Sequence, residues 1–226
     1  MDQAFPSPGR GHELDGAQHP RFARAYARSV DGMNRRGATE HRRRILEGLH
    51  GSVIELGAGA GSSFPLYPQT VTHVLALEPD DYLRNRAQQE ARVAAVPVTV
   101  VPGVAEHIPA ETGSVDAVVV SLVLCSVTDQ ATVLAEVRRV LKPRGTLAYY
   151  EHVRSDWPLL AAVEDLLTPV WQRAAGGCHP NRDTLSAIRA AGFAIQDNER
   201  FGFAPSALTP PVAHIMGRAT IQVVRG

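Results

Sequence analysis

Several protein classes are excluded by what this chain lacks. Cysteine is scarce: only Cys125 and Cys178 occur in 226 residues. They lie too far apart in sequence for a zinc motif, so no metal is expected, and no disulfide framework can be built from them. Both read as reduced thiols of a cytoplasmic protein. Surplus charge is also lacking, because Lys+Arg and Asp+Glu balance at 23 each. A dedicated nucleic-acid binder usually carries a strong basic excess. The cluster Arg42-Arg43-Arg44 sits between Glu40 and Glu47 and reads as the solvated face of a helix. No apolar run approaches the roughly 18–20 residues that would span a membrane. Residues 1–20 carry Pro6, Pro8, Gly9, Gly11, Gly16 and Pro20 but no apolar core of a secretion signal. They are expected to form a flexible tail, ordered only where something packs on it. No internal repeat is present.

With 44% hydrophobic residues, the chain can bury one substantial core. A single domain over 21–226 is expected: N-terminal helices in 21–50, a cofactor-binding core in 51–153, and acceptor-side helices and late strands in 154–226. Strand-like runs at Val53–Leu56, His73–Leu77, Val98–Val101, Val115–Ser121 and Thr146–Val153 alternate with helical segments. Asp129 is a plausible N-cap for the helix before Lys142-Pro143-Arg144-Gly145. Five such units imply a parallel sheet with right-handed crossovers. Later, the apolar residues from Leu159 to Trp171 recur at helical spacing, with one side expected in the core and Pro169 expected to end or bend the helix. A helix over Asn181–Ala191, capped by Asn181, precedes strands at Phe193–Phe203 and Ala213–Val224. The predicted class is α/β: a Rossmann-like three-layer αβα sandwich with a seven-stranded, mostly parallel sheet and an antiparallel last strand.

The first strand runs into Glu55-Leu56-Gly57-Ala58-Gly59-Ala60-Gly61. Glycine lets the backbone turn tightly and leaves room for a ligand against the main chain. In open α/β sheets ligands lie beyond the carboxyl ends of the strands, where Glu78 also falls, placed to accept both hydroxyls of a ribose. Nicotinamide enzymes place an acid there too. Three features separate the classes. The loop is G-x-G-x-G, not the G-x-G-x-x-G that seats a pyrophosphate. Pro65 and Pro68 make any following helix short or irregular, a poor anion seat. Glu55 would repel a pyrophosphate but suits the ammonium of S-adenosylmethionine.

Together with Leu77-Glu78-Pro79, Ser114-Val115-Asp116-Ala117-Val118 and Arg139-Val140-Leu141-Lys142-Pro143-Arg144-Gly145, this loop resembles, in order, the motifs of class I S-adenosylmethionine-dependent methyltransferases. The resemblance covers roughly Tyr26 to Val153. Ser121-Leu122-Val123-Leu124-Cys125-Ser126-Val127, Glu151-His152-Val153 and Gly176-Gly177-Cys178 are similar to a narrower branch, the small-molecule and thiol methyltransferase-like proteins. The resemblance implies that Gly57, Ala58 and Gly59 approach the methionine part of the cofactor and Glu78 with Pro79 its ribose. It places Gly103-Val104-Ala105-Glu106 beside adenine and Ser121 with Leu122 at the edge of the site. Relatives often have Asp where this chain has Val104, so a backbone contact at Ala105 with Glu106 nearby takes over that role. Tyr26 matches a tyrosine that closes over the cofactor carboxylate. Arg144 replaces the glycine that normally follows Pro143.

Methyl transfer from a sulfonium is an in-line displacement, and aligning donor and acceptor supplies most of the acceleration. A thiol needs little help from a base, because it is partly ionised at neutral pH. His152, at the carboxyl end of strand five, has two readings: the general base, or a half-buried histidine bonded to a neighbour. Glu151, on the other face of that strand, competes for any role. His179 reads as pocket lining or as part of a turn, Cys125 as a reactive thiol or a small buried residue. Trp157 and Trp171 are candidates for an aromatic wall.

The expected activity is methyl transfer from S-adenosylmethionine to a small molecule: a thiol, a phenol or quinol, or a natural-product acceptor. The alternatives are a protein of this fold that binds the cofactor without transferring methyl, and an NAD-dependent oxidoreductase. The expected partner is the small-molecule acceptor, with no nucleic acid and no membrane span.

Overall fold

A computed structural model describes residues 11–205 and 209–222. Its centre is a seven-stranded sheet in the order β3-β2-β1-β4-β5-β7-β6. The strands are β1 (Gly51–Leu56), β2 (Val71–Leu77), β3 (Val98–Val101), β4 (Val115–Ser121), β5 (Leu141–His152), β6 (Phe193–Phe203) and β7 (Val212–Ile221). Neighbours among β1 to β5 pair in parallel. β7 is antiparallel to both β5 and β6, between which it lies. The order reverses between β1 and β4, which opens a crevice at the carboxyl edge there.

Both faces of the sheet are covered, and for that reason β4 is apolar almost throughout. One core layer gathers Ile54, Leu56, Val118, Val120, Leu134 and Val137. The other gathers Ile45, Leu46, Val53, Val74, Val119 and Tyr150. The helices are α1 (Gly11–Gly16), α2 (Pro20–Met33), α3 (Thr39–Leu46), α4 (Asp81–Ala91), α5 (Gln130–Val140), α6 (Pro158–Ala174) and α7 (Thr184–Ala190). Asp129 caps α5, accepting from the amides of Ala131 and Thr132, as its position in the sequence predicts.

Several expectations need correction. The tail is not free throughout: residues 11–16 are helical, while residues 1–10 lie outside the described part. Gln18 donates to the Pro79 carbonyl at 2.8 Å and the His19 amide to Asp80 at 3.1 Å, so this segment is fastened to the loop after β2. Arg42 is buried, not solvated, and its guanidinium bonds Asn34 at 2.7 Å. Pro169 does not end α6, which runs on to Ala174. A single proline removes one donor, which a helix can lose and still continue. α7 is capped by Asp183, which accepts from Ser186, whereas Asn181 bonds Asp165. β5 begins at Leu141, and Arg144 within its first arc has φ +67°, the left-handed region that glycine occupies without strain.

The apolar stripe of α6 is also not core. Leu159, Leu166 and Val170 are 86%, 77% and 65% exposed, and only Ala161 and Thr168 of this helix are buried. The helix is tethered through polar groups on another side, with Glu164 accepting the Ser155 amide at 2.8 Å and Asp165 pairing with Arg154. None of the described helices is long and apolar enough to cross a membrane.

Candidate active site

β1 delivers its glycines at the mouth of the crevice. Gly57 has φ +61° and Gly59 φ +57°, a conformation L side chains rarely adopt. Space is equally restrictive. A Cβ on Gly57 would come within 2.6 Å of Val123, and one on Gly59 would meet the Tyr26 ring at 3.4 Å. Tyr26, on α2, therefore lies directly over the turn. The Ala58 amide bonds the Leu77 carbonyl at 3.0 Å, so the turn is locked to the end of β2.

Glu78 follows β2 and is 5% exposed. One carboxylate oxygen accepts from the Gly59 amide at 2.7 Å, the other from the Asp80 amide at 2.9 Å. An ionised carboxylate offers about four lone-pair sites, so acceptor capacity remains on both oxygens. Burial pushes its pKa up to about 7, against the pull of the two amides. Pro79 is half-buried beside it, its carbonyl taken by Gln18 and Arg84. Further along the same edge, Ala105 is buried and Glu106 half-buried.

Glu55 is turned inward. It is 2% exposed and accepts from the Tyr67 hydroxyl at 2.9 Å. Burial raises its pKa, with hydrogen bonds from Ser63 and Tyr67 opposing the rise. Its carboxylate thus braces the chain segment that follows the glycines.

β4 ends at Ser121, whose hydroxyl is buried without a partner. Leu122 then takes φ +62°, a costly conformation for a side chain of its size. What holds this turn is Glu151. Fully buried on β5, its carboxylate accepts the amides of Val123, Leu124 and Cys125 at 2.9, 3.0 and 3.1 Å. Burial pushes its pKa up to about 7 as well. Glu151→Ala would orphan three buried donors, each worth about 1–3 kcal/mol. We expect a net loss of about 3 kcal/mol, on the order of 10 °C in Tm. Thermal unfolding measures it, and a drop under about 2 °C would remove the bracing role.

The chain's two cysteines, too far apart in sequence for a zinc motif, meet here. Their sulfurs lie 3.6 Å apart although 53 residues separate them in sequence. His152 joins them: its Nδ1 is 3.2 Å from the Cys178 sulfur and 3.7 Å from that of Cys125. Both cysteines are buried and the histidine is half-buried. The contact between the two sulfurs lowers the Cys178 thiol below its usual range, while that same contact and burial push Cys125 up. His152 is raised despite burial, through its contact with Cys178. All three residues fall in the motifs shared with the thiol methyltransferase-like branch, but their contact is not readable from spacing, because a loop after β4 and a loop after α6 supply the cysteines. His179 donates its amide to the Cys125 carbonyl at 2.7 Å and ties those loops together. Trp157, one of the aromatic-wall candidates, is instead 77% exposed.

A seven-stranded sheet with one reversed strand, a glycine turn off β1 and an acid after β2 define the class I S-adenosylmethionine-dependent methyltransferase architecture. Residues 54–149 match the model of the methyltransferase domain family. Thiol S-methyltransferase TMT1B of Homo sapiens is 35% identical over 186 residues, 77% of this chain and 73% of that protein. Thiol S-methyltransferase TMT1A of Homo sapiens is 33% identical over 63% of this chain and 59% of its own length. A solved S-adenosylmethionine-dependent methyltransferase from Mesorhizobium loti superposes with TM-score 0.61 at 22% identity, covering 81% of this chain and 98% of that one. YcgJ of Bacillus subtilis superposes with TM-score 0.68 at 15% identity, covering 82% and 98%. The chain belongs to the methyltransferase family that includes thiol S-methyltransferase TMT1B. It is an S-adenosylmethionine-dependent methyltransferase, and the nicotinamide alternative falls away.

Proposed function

We propose that this enzyme methylates the sulfur of a small apolar thiol. The observation that carries the reading is the 35% identity to TMT1B across 73% of that thiol S-methyltransferase. The fold alone would not carry it, since the [4+2]-cyclase SpnF has the same fold with TM-score 0.63 at 18% identity.

The glycine turn is a cradle that a single Cβ would obstruct, and Glu78 has lone pairs to spare; both features fit the cofactor. Gly57, Ala58 and Gly59 would take its methionine part, with Tyr26 closing over the carboxylate. Glu78 and Pro79 would hold the ribose, and Ala105 with Glu106 the adenine. Ser121 and Leu122 would border the site, while Glu55 supports the turn from behind. When bound, S-adenosylmethionine supplies a methyl group on a sulfonium, whose positive charge disappears on transfer.

A thiol suits the acceptor side. Its reference pKa of about 8.5 gives some thiolate at neutral pH, so alignment and water exclusion suffice where a phenol would need a stronger base. The loop Val123–Cys125 is apolar and buried, and soft sulfur surfaces favour a soft acceptor over a hard oxygen.

The test pairs calorimetric titration of S-adenosylmethionine with an acceptor screen of aliphatic and aromatic thiols, phenols and quinols. Thiols are expected to turn over at least about tenfold faster than phenols of like shape, a gap of about 1.4 kcal/mol in barrier. Transfer to phenols or quinols in preference to thiols would overturn the choice of sulfur. Cofactor binding with no transfer to any acceptor would point to a binding protein.

A further inference from the structure

Cys125, His152 and Cys178 form the most concentrated group of soft ligand atoms among the described residues, and their spacing has a specific meaning. In a tetrahedral zinc site the metal lies about 2.3 Å from sulfur and about 2.0–2.1 Å from nitrogen. The tetrahedral edges that follow are about 3.8 Å between two sulfurs and about 3.6 Å between sulfur and nitrogen. The observed separations are 3.6 Å for the sulfur pair and 3.2 and 3.7 Å for the sulfur–nitrogen pairs. All three ligand atoms lie within 4.8 Å of one another. We propose that Cys125 Sγ, His152 Nδ1 and Cys178 Sγ bind one zinc ion whose fourth position is open to an acceptor thiol.

Charge and support agree with this. Two thiolates and a neutral imidazole cancel the charge of the ion, so the buried site stays neutral overall. The ligands are held before any metal arrives. Glu151 fixes the Cys125 amide, and the Cys178 amide bonds the Ala175 carbonyl at 3.2 Å. The buried indole N–H of Trp171 meets no oxygen or nitrogen acceptor, and it lies beside Cys178. Donors of this kind support metal-bound thiolates from the second shell of a site.

No fourth His, Cys, Asp or Glu joins the cluster among the described residues. Three protein ligands with a vacant position are the pattern of reactive zinc sites, whereas structural sites are closed by four. His152 is half-buried, while both cysteines are buried. A thiol entering the fourth position would lose its proton to solvent and remain as a zinc-bound thiolate at neutral pH. This last step rests on the thiol reading above; the metal site itself does not.

The experiment uses the full chain, reduced with a phosphine and freed of metal, and titrates it with cobalt(II) and then zinc(II). One equivalent of cobalt per chain is expected, with a thiolate-to-metal charge-transfer band and the intense visible absorption of four-coordination, both abolished by zinc. Cys125→Ser and Cys178→Ser should each weaken the charge-transfer band, and the double variant should abolish it, while S-adenosylmethionine binding and thermal unfolding stay close to the parent. Substoichiometric cobalt, or a band that Cys178→Ser leaves undiminished, overturns the site. Ethanethiol added to the cobalt protein should shift the charge-transfer band, and an unchanged spectrum overturns the open position. No methyl transfer is read, so failure here leaves thiol methylation to its own assay. Equally, cobalt binding with no thiol turnover would remove the acceptor assignment and keep the metal.

Discussion

Glu78→Ala is expected to raise the Kd for S-adenosylmethionine about 10²–10³-fold, with transfer falling to background at ordinary cofactor concentrations. Two hydroxyls donating to a buried carboxylate contribute about 1.5–3 kcal/mol each. Alanine also releases the Gly59 and Asp80 amides that Glu78 now accepts, so the glycine turn keeps only the Ala58–Leu77 bond to the end of β2. Together these account for about 3–4 kcal/mol, which is the stated factor. The pH dependence offers a second signature. With its pKa near 7, Glu78 is protonated in the free protein as pH falls below neutrality, and the acid no longer presents an acceptor to both hydroxyls. Affinity in the parent should therefore drop by up to about tenfold per pH unit between pH 7 and pH 5, whereas Glu78→Ala should be flat. Folding runs the other way. A carboxyl group whose pKa is raised in the folded state adds stability below its unfolded pKa and loses it as pH rises through about 7. Glu78's own contribution to folding should thus grow on mild acidification while its cofactor grip weakens. Calorimetry at several pH values decides, and a change under about fivefold in Glu78→Ala would remove the ribose role.

How much of this could be read from sequence depends on the range of the interaction concerned. Val98–Val101, Val115–Ser121 and Phe193–Phe203 are the strands observed, residue for residue. Of these only the central Val115–Ser121 is covered on both faces and written in its own apolar run, while the other two are edge strands. The glycine turn and Glu78 were legible for the same reason, since each depends on a short segment with a fixed backbone task. The motif acid Asp116 proved to be a tie at the opposite end of the sheet, where it accepts from Lys142 at 2.8 Å and from the Ser52 amide at 2.9 Å. α6 was misread because helical periodicity reports an apolar face but not whether anything covers it. The residues of the sulfur–imidazole cluster lie in motifs of the narrower branch, but their contact is not legible because proximity across 53 residues is set by the path of two loops. Glu151 passed for a competitor in catalysis, since sequence cannot show that three successive amides converge on one carboxylate.

His152→Ala should cost about 10²–10⁴ in methyl transfer while leaving S-adenosylmethionine affinity within about twofold. The residue ends β5 and its bonds run to the two sulfurs, not to the glycine turn or Glu78, so binding and turnover should separate. Its Nδ1 already faces two sulfurs at 3.2 and 3.7 Å, which bears on how the loss should respond to pH. A general base becomes dispensable once the acceptor is ionised in solution, above its reference pKa of about 8.5. If proton removal were the whole contribution, the variant would recover toward the parent rate as pH rises past that value. A histidine that helps hold the acceptor sulfur in place would leave a defect of similar size at every pH, because thiolate supplied by solvent still has to be positioned. The cluster geometry predicts the second pattern: a loss that persists when the thiol is fully ionised. Full recovery at high pH would assign His152 as the base, and a loss under about fivefold at all pH values would remove it from the reaction.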